Sequence, residues 1–211
     1  MINQNLKKYI EQNILPIYQK LDKAHSGNHV YDVINKSFEI AKDFDVNLDM
    51  VYTIAAFHDI GLIEERERHH LIGGKMLEDD LFIQSLFSKE DLCIMKEAVE
   101  DHRASSKTPP RSIYGKIICE ADRSDTMDIV IERTILFRMK NNESFESIYP
   151  DVLKHIQDKY GENGYLKVWL KTKGTTEMLT DIRGLLQNEI EFKKYAEKIY
   201  EKIKINGVSN D

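Results

Sequence analysis

Positive net charge, cysteine, proline and long apolar runs are all scarce in this chain. Its 30 Lys and Arg stand against 36 Asp and Glu, a formal net charge of -6. A general nucleic-acid binder carries a basic face, so no stable DNA or RNA partner is expected. A small phosphorylated substrate needs only a local basic pocket and is not excluded. No apolar run approaches the roughly 18 residues that span a bilayer. The charged start, Met1 to Gln12, lacks the apolar core of a secretion signal. A cytoplasmic chain with no membrane partner is the expectation. The two cysteines, Cys93 and Cys119, fall inside helical patterns without metal-type spacing. They read as free thiols in a reducing compartment.

With only 4 Pro and 10 Gly in 211 residues, long helices meet few breakers. Hydrophobic residues make up 41% and charged residues 31%, which suits a folded chain able to bury a core without cross-links. No segment sustains strand alternation, so the chain reads as all-α. One domain over 1–211 is expected, with a core over about 23–139 and a C-terminal helical extension over about 144–205.

Helical periodicity organises the core. Leu6, Ile10, Ile14 and Leu21 share one face of a first helix that Pro16 interrupts or kinks. Ser26 is placed to cap a second helix carrying Val30, Val33, Ile34, Phe38 and Ala41 inward. A third runs from about Leu48 to His58, and Gly61 is placed to stop it. The charge cluster Glu64 to Arg68 is expected to open a fourth helix. Ser88-Lys89-Glu90-Asp91 has the form of a capping box for a fifth, with Leu92, Met95, Val99 and His102 inward. After the Pro109-Pro110 break, a helical pattern passes through Ile117, Ile118 and Asp122 and continues to about Met139. Phe145 to Tyr160, a short Lys167 to Leu170 turn and Thr176 to Ile203 are expected to be helical, without any catalytic pattern.

The histidines carry the chemistry. His29, His58, His70 and His102 each begin or end an apolar stripe. An isolated histidine on an apolar face is usually a satisfied core residue. Four of them on four helices are costly to bury separately, whereas one shared metal centre satisfies them together. Asp59 and Asp122 lie beside the same stripes, and a divalent cation would supply the counter-charge that buried carboxylates need.

In order, His29, the pair His58-Asp59 and the later Asp122 resemble the H…HD…D signature of the HD-domain superfamily. His29-Val30, His58-Asp59-Ile60-Gly61 and Ala121-Asp122-Arg123-Ser124-Asp125 are similar to its blocks, and the resemblance covers about residues 23–139. It implies an HD-domain helical bundle with the metal site between helices, and a metal-dependent phosphohydrolase. Some members carry two extra histidines that bind a second ion. His70 and His102 match those positions, with His70 preferred over His69 because it precedes Gly73-Gly74 as in the family's H-x-x-G block. His69 is expected toward solvent or behind the ligands, and His25 and His155 at the surface.

The implied ligands are therefore His29, His58, Asp59, His70, His102 and Asp122, holding one or two divalent ions. The donor set suits Mn, Fe, Zn, Co or Ni. The resemblance further implies that Asp59 bridges the ions as the catalytic carboxylate, and that a metal-bound hydroxide attacks a small phosphorylated or nucleotide substrate. Arg103, Lys107 and Arg123 are the candidate phosphate contacts, against the plain alternative of solvated surface charge. Leu62 stands where related sequences often place Lys, and the stretch after His102 lacks the GYP triplet of cyclic-di-GMP phosphodiesterases. That activity is disfavoured. A di-iron HD-type oxygenase with the same ligand order and a non-catalytic metal-binding HD module remain as alternatives. The long C-terminal helix is compatible with a homodimer.

Overall fold

The structure, a computed structural model, describes residues 2–20, 27–103, 106, 108–123, 126–139 and 144–208. Ser26, His25, Lys107 and the Ser124-Asp125 end of the last motif block lie outside them. Every regular element among the described residues is helical, as the scarcity of breakers leads one to expect. The order is α1 (Gln4–Tyr9), a π-helical turn (Ile10–Ile14), a 3-10 turn (Leu15–Lys20), α2 (Gly27–Ala41), α3 (Leu48–Phe57), a second 3-10 turn (Ile60–Ile63), α4 (His69–Asp79), α5 (Leu81–Leu86), α6 (Lys89–Asp101), α7 (Ile113–Arg123), α8 (Met127–Arg138), α9 (Phe145–Tyr160), α10 (Lys173–Leu186) and α11 (Glu189–Val208). No helix among the described residues is long and apolar enough to cross a membrane.

Side-chain caps set many of the boundaries. Ser88 accepts from the Asp91 N–H and donates to its carboxylate, starting α6 where the capping box stands. Asn47, Asp80, Thr126 and Thr172 accept first-turn N–H groups of α3, α5, α8 and α10. These caps explain where the periodicity misled. The pattern expected to continue, with or without a bend, to about Met139 is two helices: α7 ends at Arg123 and α8 starts behind the Thr126 cap. The pattern from Thr176 to Ile203 divides because Asn188 accepts from the Ile190 and Glu191 N–H groups and starts α11. Glu64 to Arg68 stays outside α4, which begins at His69. The stretch around Trp169 is not helical; the Trp169 and Leu170 N–H groups donate instead to the buried Glu120 carboxylate, at 2.8 and 3.4 Å.

The chain packs as two compact units. The first comprises Met1–Arg123 with Val168–Leu170. Its core gathers Leu6, Ile10, Ile14 and Tyr18 from the N-terminal segment with Val30, Val33, Ile54, Phe57, Leu77, Met95, Val99 and Ile118. Here α2 packs on α3 and α7, and α6 packs on α3, α4 and α7. The second comprises residues 124–167 and 171–211. In it α8, α9, α10 and α11 close around Ile131, Ile135, Val152, Ile182 and Phe192.

Candidate metal centre

The first unit delivers titratable side chains to one place from five segments. α3 is buried from Met50 to Phe57, so its C-terminus ends deep in the core and leaves His58 and Asp59 there. The chain turns at once through Ile60–Ile63 and returns as α4. That return is tight: a Cβ on Gly61 would lie 2.2 Å from the His69 carbonyl oxygen, and one on Gly73 would lie 2.9 Å from that of Phe57. Glycine at both positions lets α4 approach the end of α3. His102 sits at the C-cap of α6, His29 in the first turn of α2, and Asp122 in the last turn of α7.

Asp59 is the hub. Its Oδ2 lies 3.4 Å from His58 Nε2 and 3.8 Å from His29 Nε2. Its Oδ1 lies 3.3 Å from His102 Nε2 and 3.4 Å from His69 Nε2. Asp122 Oδ1 adds a contact to His29 Nε2 at 3.2 Å and one to His58 Nε2 at 4.0 Å. Two sets of donor atoms thus share Asp59, each set lying within 4.8 Å: His29, His58 and Asp59 in one, Asp59, His69 and His102 in the other.

Three imidazoles are oriented by the backbone. Nδ1 of His58 meets the Ala55 carbonyl at 2.8 Å, Nδ1 of His69 that of Arg66 at 2.7 Å, and Nδ1 of His102 that of Val99 at 2.6 Å. A carbonyl only accepts, so each Nδ1 carries the proton and each Nε2 of a neutral ring turns a lone pair inward. The Nε2 atoms of His69 and His102 then face each other at 3.2 Å, an arrangement of two acceptors that needs a cation. His58 Nε2 is buried with no hydrogen-bond partner. Nitrogen and carboxylate donors at this spacing fit a divalent transition metal.

Charge coupling shows the same demand. Burial lowers the pKa of the His58 imidazolium, but the Asp59 and Asp122 carboxylates outweigh it and raise it to about 9. Burial raises the carboxyl pKa of Asp59 and Asp122, yet the imidazoles beside them hold both well below the usual range. Without a metal, a proton on His58 supplies part of the cation that the two carboxylates require. His69 is shifted down by burial and then by His102.

Of the residues expected from sequence, His29, His58, Asp59, His102 and Asp122 come together here. His70 does not. The α4 histidine that reaches Asp59 is His69, and His70 lies beside it with ring centroids 5.5 Å apart. The reason is helical phase. His69, Gly73 and Leu77 form one stripe, and Gly73 packs on the end of α3; His70 and Gly74 form the next, and Gly74 packs on Lys96 of α6. Burial, then His69 and His102, depresses the His70 pKa to about 4. Arg123 is not a solvent-facing phosphate contact: it is buried, with Nη1 3.8 Å from the buried Glu120 carboxylate. Arg103 is exposed and donates to the Glu67 carbonyl at 3.0 Å. Lys107 lies outside the described residues.

Residues 27–127 match the family model of the HD domain. This stretch is an HD domain. It contains His29, His58, Asp59, His69, His102 and Asp122, and leaves the N-terminal segment with Tyr18 outside. The chain is also similar to the crystal structure of a predicted HD superfamily hydrolase from an uncultured Thermotogales bacterium, with 24% identity over 73% of this chain and 96% of that one, at a TM-score of 0.49. No curated protein matches it.

Proposed function

We propose that this HD domain makes the chain a metal-dependent phosphohydrolase acting on a small phosphorylated or nucleotide substrate. One ion would be held by His29, His58, Asp59 and Asp122, and a second by Asp59, His69 and His102. The observation that carries this reading is the facing pair of Nε2 atoms on His69 and His102, both anchored through Nδ1 to carbonyls and both against Asp59 Oδ1. Divalent ions at such a site supply Lewis acidity, which polarises a phosphoryl oxygen and makes water nucleophilic near neutral pH.

The chain's own contribution is orientation and exclusion. Asp59 offers one oxygen to each half of the site, so its negative charge holds the two halves in register. The Ala55, Arg66 and Val99 carbonyls fix three imidazole tautomers before any substrate arrives, so no reorganisation is needed during reaction. His58, Asp59 and His102 are almost wholly buried, which keeps bulk water from screening the site. Arg103, exposed and next to His102, and Lys107 remain the proposed phosphate contacts.

The test is phosphate release from a panel of phosphomonoesters and nucleotides, using protein loaded in turn with Mn, Fe, Co, Ni and Zn. Release that disappears with chelator and in Asp59→Ala supports the proposal. No release from any substrate with any metal overturns it, and oxygen-dependent turnover with iron would assign the site to an oxygenase.

A further inference from the structure

The geometry of a metal site depends on how its ligands are held, and here one holder comes from outside the HD-domain match. Tyr18 lies in the 3-10 turn Leu15–Lys20, upstream of residues 27–127. Its ring is fully buried. Ile10, Ile14 and Tyr18 follow one another at intervals of four and all are buried, so an apolar stripe docks this segment into the core.

The hydroxyl of Tyr18 does two things at the end of α3. It donates to the Ala56 carbonyl at 3.0 Å and accepts from the Asp59 N–H at 3.3 Å. The ring also stacks beside His58, with centroids 6.4 Å apart and planes at 28°. The backbone logic is a replacement. In a continuing helix the Asp59 N–H would bond to the Ala55 carbonyl. That carbonyl is taken by His58 Nδ1, and the helix ends at Phe57. A buried N–H and a late helix carbonyl are thereby left to be satisfied. One hydroxyl satisfies both and holds Asp59 at φ −108° and ψ 4°, outside the helical region.

We propose that Tyr18 is a positioning residue for the metal centre: its hydroxyl locks the His58-Asp59 turn so that the His58 ring and the Asp59 carboxylate are preset for the ions. The inference rests on the metal reading above. Tyr18 touches none of the donor oxygens or ring nitrogens; it acts through the backbone that carries them.

The experiment is a Co²⁺ titration of metal-free wild type, Tyr18→Phe and Ile10→Val, followed by visible absorption and paired with thermal melting of each metal-free protein. Tyr18→Phe keeps the ring and loses only the hydroxyl. Its Co²⁺ affinity should fall by about 10- to 100-fold, the scale for removing a hydrogen bond that orients a ligand, and its cobalt spectrum should change. Ile10→Val removes a methyl from the same buried stripe without touching a polar group, and should lower the melting temperature while leaving affinity and spectrum as in wild type. Unchanged affinity and spectrum in Tyr18→Phe would overturn the positioning role while leaving the metal centre standing. Wild type that binds no Co²⁺ would overturn the metal centre and this inference with it. If Tyr18→Phe does not fold, amide hydrogen exchange of metal-free wild type decides: the Asp59 N–H should be protected like the amides of α3, and rapid exchange there would contradict the lock.

Discussion

His69 Nε2 lies 3.4 Å from Oδ1 of Asp59, on the carboxylate oxygen that also meets His102 at 3.3 Å. His70, its neighbour in sequence, has no contact with that carboxylate among the ion pairs of the site and keeps a buried Nδ1 without a hydrogen-bond partner. The difference between adjacent histidines yields a sharp test. His69→Ala should lose one of two bound ions and about 100-fold or more in turnover, whereas His70→Ala should keep both ions. Elemental analysis of the two variants beside wild type checks this.

Removing the hub should be more damaging than removing a spoke. Asp59→Ala and His58→Ala should each lose both metal and phosphate release, because Asp59 belongs to both donor sets and His58 contacts both carboxylates. Folded protein with full metal and full turnover in the Asp59 variant would refute the assignment.

The His58 proton gives a pH signature. Its pKa in the metal-free protein is raised to about 9, with burial opposing and Asp59 the largest favourable cause. A raised folded-state pKa stabilises the fold fully below the unfolded value near 6.5, and that stabilisation is lost as pH rises through about 9. Metal-free protein should therefore lose on the order of 3 kcal/mol across this window, at about 1.4 kcal/mol per pKa unit. Metal occupying the site displaces the same proton, so loading at pH 7 should release protons, measurable by calorimetry in buffers of different ionisation enthalpy. In Asp59→Asn the His58 pKa should fall toward or below its ordinary value, read by NMR titration of the metal-free variant.

Gly61 offers a steric test of the tight return from α3 to α4. A Cβ there would sit 2.2 Å from the His69 carbonyl and 2.8 Å from the Gly73 backbone nitrogen. Both are backbone atoms that cannot swing aside. Gly61→Ala should cost about 1–3 kcal/mol or more and weaken the ion held by His69 and His102, with thermal melting and metal stoichiometry as the readouts.

Much of this arrangement was legible in the sequence because its signals are local. The inward stripes of α2, α3 and α6 and the Ser88 capping box each lie on the helix they position, and His58-Asp59 is a pair of adjacent residues. The choice between His69 and His70 was harder, since both precede glycine and both lie near one helix face. It turns on which glycine meets α3, and that is a tertiary fact: Gly73 meets Phe57 and Gly74 meets Lys96. The positions of the breaks before Met127 and Glu189 are set by the single caps Thr126 and Asn188, each of which lies between two stretches that both read as helical. Arg123 follows a candidate ligand in sequence, yet Glu120 one turn earlier is buried and draws it inward. Tyr18 extends the buried stripe of Ile10 and Ile14, but its tie to the site carries no local signal, because the Asp59 amide it binds is 41 residues away.

Metal stoichiometry per chain tests the central claim most directly. Untagged wild-type protein, purified without chelator and equilibrated with micromolar Mn²⁺ or Fe²⁺, should carry about two ions per chain by elemental analysis, the number that two donor sets sharing Asp59 can hold. One ion would contradict the His69–His102 half of the site, and none would contradict the metal centre as a whole.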